Sequence, residues 1–219
     1  GICFEEGAHR PADSAQAAFW YQKAAQAGHI HSYCHLGNLL MTGNGAAKDP
    51  IKALELCHPA ALQGSVPAQI WMGKFYLQGD ASIQDMQEAY RWFEAAAQKH
   101  SPEAFYYLGI LMEKGSSQGH TPQKARQMFE QAAALKYVPA YFQIGKSFYT
   151  AEPDPETHQL SAEHLAKAYV WLSATVQRPG NPEEISAAKA MLQQILVVMP
   201  TAWLAELDHK VARHLLESY

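Results

Sequence analysis

Cysteine is scarce: Cys3, Cys34 and Cys57 are the only three in 219 residues. So few, so unevenly placed, exclude a disulfide-built scaffold. Charge is scarce too. Charged residues make up 17% of the chain, the net charge is -4, and no run of Lys or Arg occurs. A polyanion would meet no basic stripe, so nucleic acid is not an expected partner. Long apolar runs are missing; the longest, Ile195 to Met199, falls far short of the roughly 20 residues of a membrane-spanning helix. No leader segment is visible. Residue 1 falls at a mid-helix position of a repeat, so the chain is expected to be part of a longer protein.

What the sequence does have is periodicity. Glycine recurs every 36 residues at Gly1, Gly37, Gly73, Gly109 and Gly145, and a second series runs Gly7, Gly43, Gly79 and Gly115. Helical patterns that repeat at this spacing mean helix hairpins stacked into a solenoid. The expected fold is all-α, a right-handed α/α superhelix of about four and a half 36-residue antiparallel hairpins plus a C-terminal helical cap, continuous as one domain.

The chain divides into a partial first repeat at 1–28, repeats at 29–64, 65–100 and 101–137, a repeat at 138–178, and capping helices at 179–219. In the first, Ala17, Trp20, Tyr21, Ala24 and Ala25 form the stripe of a helix packed on one side, and Gly28 is expected as its C-cap. Asp49-Pro50 and Thr121-Pro122 pair a capping side chain with a proline at the first helical position. Pro59 lies inside a helix, and a kink is expected there. Pro153 and Pro155 make the inserted segment 150–161 a loop. The two cap helices, from about Glu183 to Val198 and Thr201 to Leu216, are read as presenting polar faces to solvent.

The pattern Ala-x-x-x-Leu-Gly-x-x-Tyr-x-x-Gly, a loop, then Ala-x-x-Trp-Phe-x-x-Ala-Ala stands, with Met72 in the leucine place, at Ala68 to Gly79 with Ala89 to Ala97, and, with Met112 and Met128 in the tyrosine and tryptophan places, at Ala104 to Gly115 with Ala125 to Ala133. It resembles the Sel1-like repeat family, relatives of the tetratricopeptide repeats, over about residues 1–176. The resemblance implies a non-enzymatic scaffold or adaptor with another protein or peptide as partner, within an envelope-associated complex, in the bacterial periplasm or secreted. It brings no catalytic residues and no cofactor. Some secreted members of the family link paired helices through regularly repeated cysteines, a repeat this sequence lacks.

Taking the tetratricopeptide-like register from the shared glycine, a concave groove would be lined by Asn38, Met41, Ile70, Lys74, Leu77, Tyr106, Ile110, Glu113, Phe142, Lys146 and Tyr149. The column Ile70, Tyr106, Phe142, read as an exposed apolar and aromatic ladder flanked by Lys74 and Lys146, suits a peptide. The same column could instead pack on the neighbouring repeat, and the inserted loop is a rival binding site.

One alternative is chemical. His31, Cys34 and His35 have the i, i+3, i+4 spacing of metal ligands on one helix face, which would make a metal-binding or hydrolytic module. Against it, Cys34 aligns with Ile70, Tyr106 and Phe142, and Cys57 with Tyr21, Phe93 and Phe129, slots where a thiol acts as a small hydrophobe. Buried free thiols are the expectation, with a Cys34 to Cys57 disulfide left open in an oxidising compartment. Ser186-Ala-Ala-Lys189 lacks the Lys-Thr-Gly and Ser-Asp-Asn partners of penicillin-recognising enzymes. Gly43-Asn-Gly45 is a turn, not a phosphate loop. No active site is expected.

Overall fold

The computed structural model describes residues 12–79, 81–115, 121–153, 155, 157 and 159–216. Gly1, Cys3 and Gly7 lie outside them, as do the side chains of Ile30 and His31. Among the described residues the structure is all-helical: α1 Ser14–Gln26, α2 Ile30–Thr42, α3 Pro50–Leu62, α4 Val66–Gln78, α5 Met86–Ala97, α6 Pro102–Glu113, α7 Pro122–Ala134, α8 Pro139–Tyr149, α9 Ala162–Val176, α10 Pro182–Val198 and α11 Leu204–Leu216, the last entered through a 3-10 turn at Thr201–Trp203. The chain forms two compact units, Gly1–Ser101 and Pro102–Tyr219. Within the first, α2 packs on α3 and α4 on α5; within the second, α6 packs on α7, α8 on α9, and α9 on both cap helices.

Side-chain oxygens start the helices. Asp13, Asp49 and Thr121 accept hydrogen bonds from the backbone N–H groups of Gln16, Lys52 and Lys124 at 3.0, 3.0 and 3.2 Å, satisfying donors the first turn would otherwise leave orphaned. Pro59 stands inside α3, which continues as helix to Leu62.

The second helices end in one motif repeated four times. His29, Ser65, Ser101 and Tyr137 donate to the carbonyls of Ala24, Ala60, Ala96 and Ala132, while Gly28, Gly64, His100 and Lys136 donate to Ala25, Ala61, Ala97 and Ala133. This is the Schellman arrangement, and it needs a left-handed residue just past the helix. Gly28 and Gly64 supply it at φ 84° and 83°; His100 and Lys136 adopt it at 57° and 66° against the preference of a residue with a Cβ. The series is a third register, hidden in the sequence because two of its members are not glycine.

The first glycine series marks close approach between paired helices. A Cβ on Gly73 would lie 2.5 Å from the Phe93 ring, one on Gly109 2.5 Å from Phe129, and one on Gly145 2.8 Å from Leu172. Glycine opposite a large side chain lets the helices approach and buries that side chain completely: Phe93, Phe129 and Leu172 have no exposed surface. Each contributes about 1.5–3 kcal/mol by that burial.

Two expectations change. Trp20 does not join the packed stripe of α1; Ala17, Ala18, Tyr21 and Ala25 do, and Trp20 is 45% exposed at its edge. The cap is not uniformly polar outside. Only Ala188 and Ile195 of α10 are buried, a row too narrow to cover its last turn, and Leu196, Val197 and Val198 stand exposed.

Candidate interaction site

Cys34 and Cys57 are joined by a disulfide across α2 and α3, with Cα atoms 4.8 Å apart. The expectation of free thiols is therefore corrected. Position 34 stands three residues before the repeat glycine and position 57 twenty after it. In the fourth repeat that same pair is Tyr106 and Phe129, with ring centroids 5.8 Å apart. The register brings these positions face to face across a hairpin, and two cysteines placed there meet. The bond also removes Cys34 as a thiolate ligand, so the metal alternative built on His31, Cys34 and His35 loses its central donor. His35 stacks on Tyr21, centroids 4.8 Å apart, and the side chain of His31 lies outside the described residues.

The same geometry corrects the exposed ladder. A residue three before the glycine faces the partner helix of its own hairpin, and Ile70 and Phe142 are 6% and 8% exposed. Leu77 is buried as well. Met41 packs half-buried on the Tyr21, Leu39 core, and Ile110 half-buried on the core of the second unit. Glu113 pairs with Lys146 at 3.8 Å, and the Tyr149 hydroxyl donates to Gln194 Oε1 of α10. Asn38, Lys74 and Tyr106 keep access to hollows.

In the first unit, Cys34, His35, Asn38, Pro67, Trp71 and Lys74 line a hollow of about 350 Å³. A larger space of about 570 Å³ is walled mostly by Ala, Leu and Phe19, and of its charged neighbours Asp49 is committed to capping α3. In the second unit, a hollow of about 250 Å³ is lined by Tyr106, Tyr107, Tyr137, Pro139, Pro179 and Glu184, among others. Tyr106 lies edge-to-face with Tyr107 at 5.3 Å and tilted against Tyr137 at 5.4 Å. Burial pushes the Tyr106 phenol up to about 12, with Glu184 and Glu113 adding to the rise and a hydrogen bond from Gln143 opposing it. Tyr137 is raised further, first by burial and then by Glu103. Glu184 is itself raised by desolvation, opposed by Gln143, whose Nε2 donates to Glu184 Oε1 at 3.4 Å, and by Lys146. Tyrosines that stay protonated beside a partly desolvated carboxylate make a surface that is aromatic and negative. Tyr107, Tyr137 and Glu184 are absent from the groove predicted by register. The signal for them was the adjacency of Tyr107 to Tyr106, but Glu184 comes from the cap, which obeys no period.

Sel1 repeat models match residues 1–29, 30–65, 66–101 and 102–137. The chain belongs to the Sel1 repeat family. Sel1 repeat proteins generally serve as protein–protein interaction scaffolds. The crystal structure of a Sel1 repeat protein from Oxalobacter formigenes is similar at a TM-score of 0.72 and 22% identity, over 97% of this chain and 84% of that one, which establishes the solenoid fold. A protective antigen of uropathogenic Escherichia coli with the same class of fold, c5321, aligns at a TM-score of 0.49 and 16% identity, over 95% of this chain and 62% of that one. No curated protein matches the sequence. Among the described residues no single helix is long and apolar enough to cross a membrane, and no group of three or more His, Cys, Asp or Glu side chains could hold a metal.

Proposed function

We propose that this Sel1 repeat chain is a non-enzymatic adaptor that binds a partner protein or peptide through hollows on its first helices. One observation supports this best: the same register positions open a hollow in each unit, at Cys34, His35 and Pro67 in one and at Tyr106, Tyr107 and Pro139 in the other. A prebuilt hollow needs little ordering when a partner arrives, so its contacts are not spent on conformational entropy. Asn38, Lys74 and Tyr106 are the members of the predicted groove that can take part directly. Ile70, Leu77 and Phe142 support it from the core. The disulfide supports residence in an oxidising compartment, the bacterial envelope or outside the cell.

The test is affinity capture from native cells with the wild-type chain beside two variants that keep their helicity, Asn38→Glu with Lys74→Glu, and Tyr107→Ala. A protein recovered by the wild type and lost by either variant is the expected result. Equal recovery by all three chains would show that the partner binds elsewhere.

A further inference from the structure

Building on the adaptor reading, we propose that the hollow lined by Tyr106, Tyr107, Tyr137 and Glu184 is a receptor for one arginine side chain presented by the partner protein. Size is the first argument. About 250 Å³ lies below the span of roughly 300–1,000 Å³ typical of sites for whole small molecules, and it suits a single side chain. Composition is the second. Val138, Pro139, Pro179 and Ile185 supply apolar walls for a hydrocarbon stem, and the tyrosine rings supply faces whose quadrupoles attract a cation.

Charge is the third argument, and it fixes the sign. The carboxylates of Glu103, Glu113 and Glu184 act on this tyrosine cluster. The cation acting on Glu184 is Lys146, which lies 3.8 Å from Glu113 and is shared with it. Arg178 precedes the lining residue Pro179 but does not itself line the hollow. Gln143, 7% exposed and behind the lining residues, shares its Nε2 between Tyr106 and Glu184, while its buried Oε1 has no hydrogen-bond partner. An incoming N–H donor would therefore meet a carboxylate held in partial desolvation, where a charge-assisted bond is stronger than in water. Guanidinium fits better than ammonium: it is planar, weakly hydrated, stacks on tyrosine and can fork onto a carboxylate.

The test is a titration of the whole chain with the blocked peptide Gly-Ser-Arg-Ser-Gly, followed by NMR and by calorimetry, beside the same peptide carrying citrulline or lysine. The arginine peptide is expected to shift the Tyr106, Tyr107 and Tyr137 resonances, and citrulline, equal in shape but uncharged, to bind at least about tenfold more weakly. Glu184→Gln should cost about tenfold in affinity, and Tyr107→Leu, which keeps bulk but loses the ring face, severalfold. Absence of binding at millimolar peptide, equal binding of arginine and citrulline, or an unchanged affinity of Glu184→Gln each overturns the proposal. The adaptor reading fails separately. A captured partner that Glu184→Gln retains would keep the adaptor and remove the arginine site, whereas specific peptide binding without any captured protein would do the reverse.

Discussion

Cys34 and His35 stand two 36-residue repeats before Tyr106 and Tyr107, and the two pairs hold the same place in their hairpins. One hairpin closes that place with a covalent bond to Cys57; the other closes it with the Tyr106 and Phe129 rings. The volumes differ accordingly. Phe129 fills the space over Gly109, but Cys57 is too small to do the same over Gly37, where an added Cβ would meet the carbonyl of Ala53 at 3.2 Å and the indole of Trp71 at 3.3 Å instead. A repeat thus fixes a slot and a distance, and leaves open whether packing or a bond fills it.

Breaking the bond should give the largest effect. The cysteines are 23 residues apart, and opening a loop of that size costs about 3 kcal/mol in the chain-entropy account. Reduction, or Cys34→Ser with Cys57→Ser, should lower the denaturation midpoint by a corresponding amount, read by urea unfolding with and without reductant. An unchanged midpoint would mean that packing by Trp71 holds the hairpin alone.

Filling the glycine slot comes next. Gly109→Ala forces a Cβ to within 2.5 Å of a fully buried ring, and overpacking of this kind costs about 1–3 kcal/mol. Gly37→Ala meets nothing nearer than 3.2 Å and should cost less. Equal losses in the two variants, measured by denaturant unfolding, would contradict the difference in packing between the hairpins.

A smaller change of opposite sign is expected at the helix ends. Lys136 and His100 occupy the left-handed position that Gly28 and Gly64 fill without strain. Lys136→Gly should stabilise by about 0.5–1 kcal/mol, the relief of the left-handed penalty less the extra freedom glycine gives the unfolded chain. A loss of stability in a thermal melt would show that the lysine side chain contributes more than its backbone costs.

These comparisons explain what was legible in the sequence. Helix hairpins, their glycines and the Ala-Ala ends recur, so chance is averaged out and the fold can be read. The groove register was transferred from the tetratricopeptide repeats. It put Ile70 and Phe142 on the outside, where contact across each hairpin had already claimed them. The disulfide stood only as an open alternative to free thiols, because each cysteine, taken alone, replaces an apolar residue. Glu184, Pro179 and the third left-handed series were hidden because the first two lie in the aperiodic cap and the last is written half in His100 and Lys136.

The smallest effect separates the tyrosine hollow from its counterpart at Cys34. Glu184 holds its proton more tightly in the folded chain than in the unfolded one, because desolvation outweighs Gln143 and Lys146. Stability must then fall as pH rises from the ordinary carboxyl range through the folded value, and at neutral pH the charged form is a net cost. Glu184→Gln should therefore be more stable than wild type at pH 7, by less than about 1 kcal/mol because the side chain is partly open to water. The difference should vanish below the ordinary glutamate range, where both side chains are neutral. Bound arginine should reverse the order. By favouring the carboxylate it lowers the Glu184 value, so the arginine peptide should stabilise the wild type at pH 7 and lose that effect on acidification, while the glutamine variant shows no such dependence. Urea unfolding at about pH 3 and at pH 7, with and without peptide, reads all of these. A wild type that matches Glu184→Gln at both pH values would mean that water reaches the carboxylate freely, and that the hollow holds no charge in reserve for a partner.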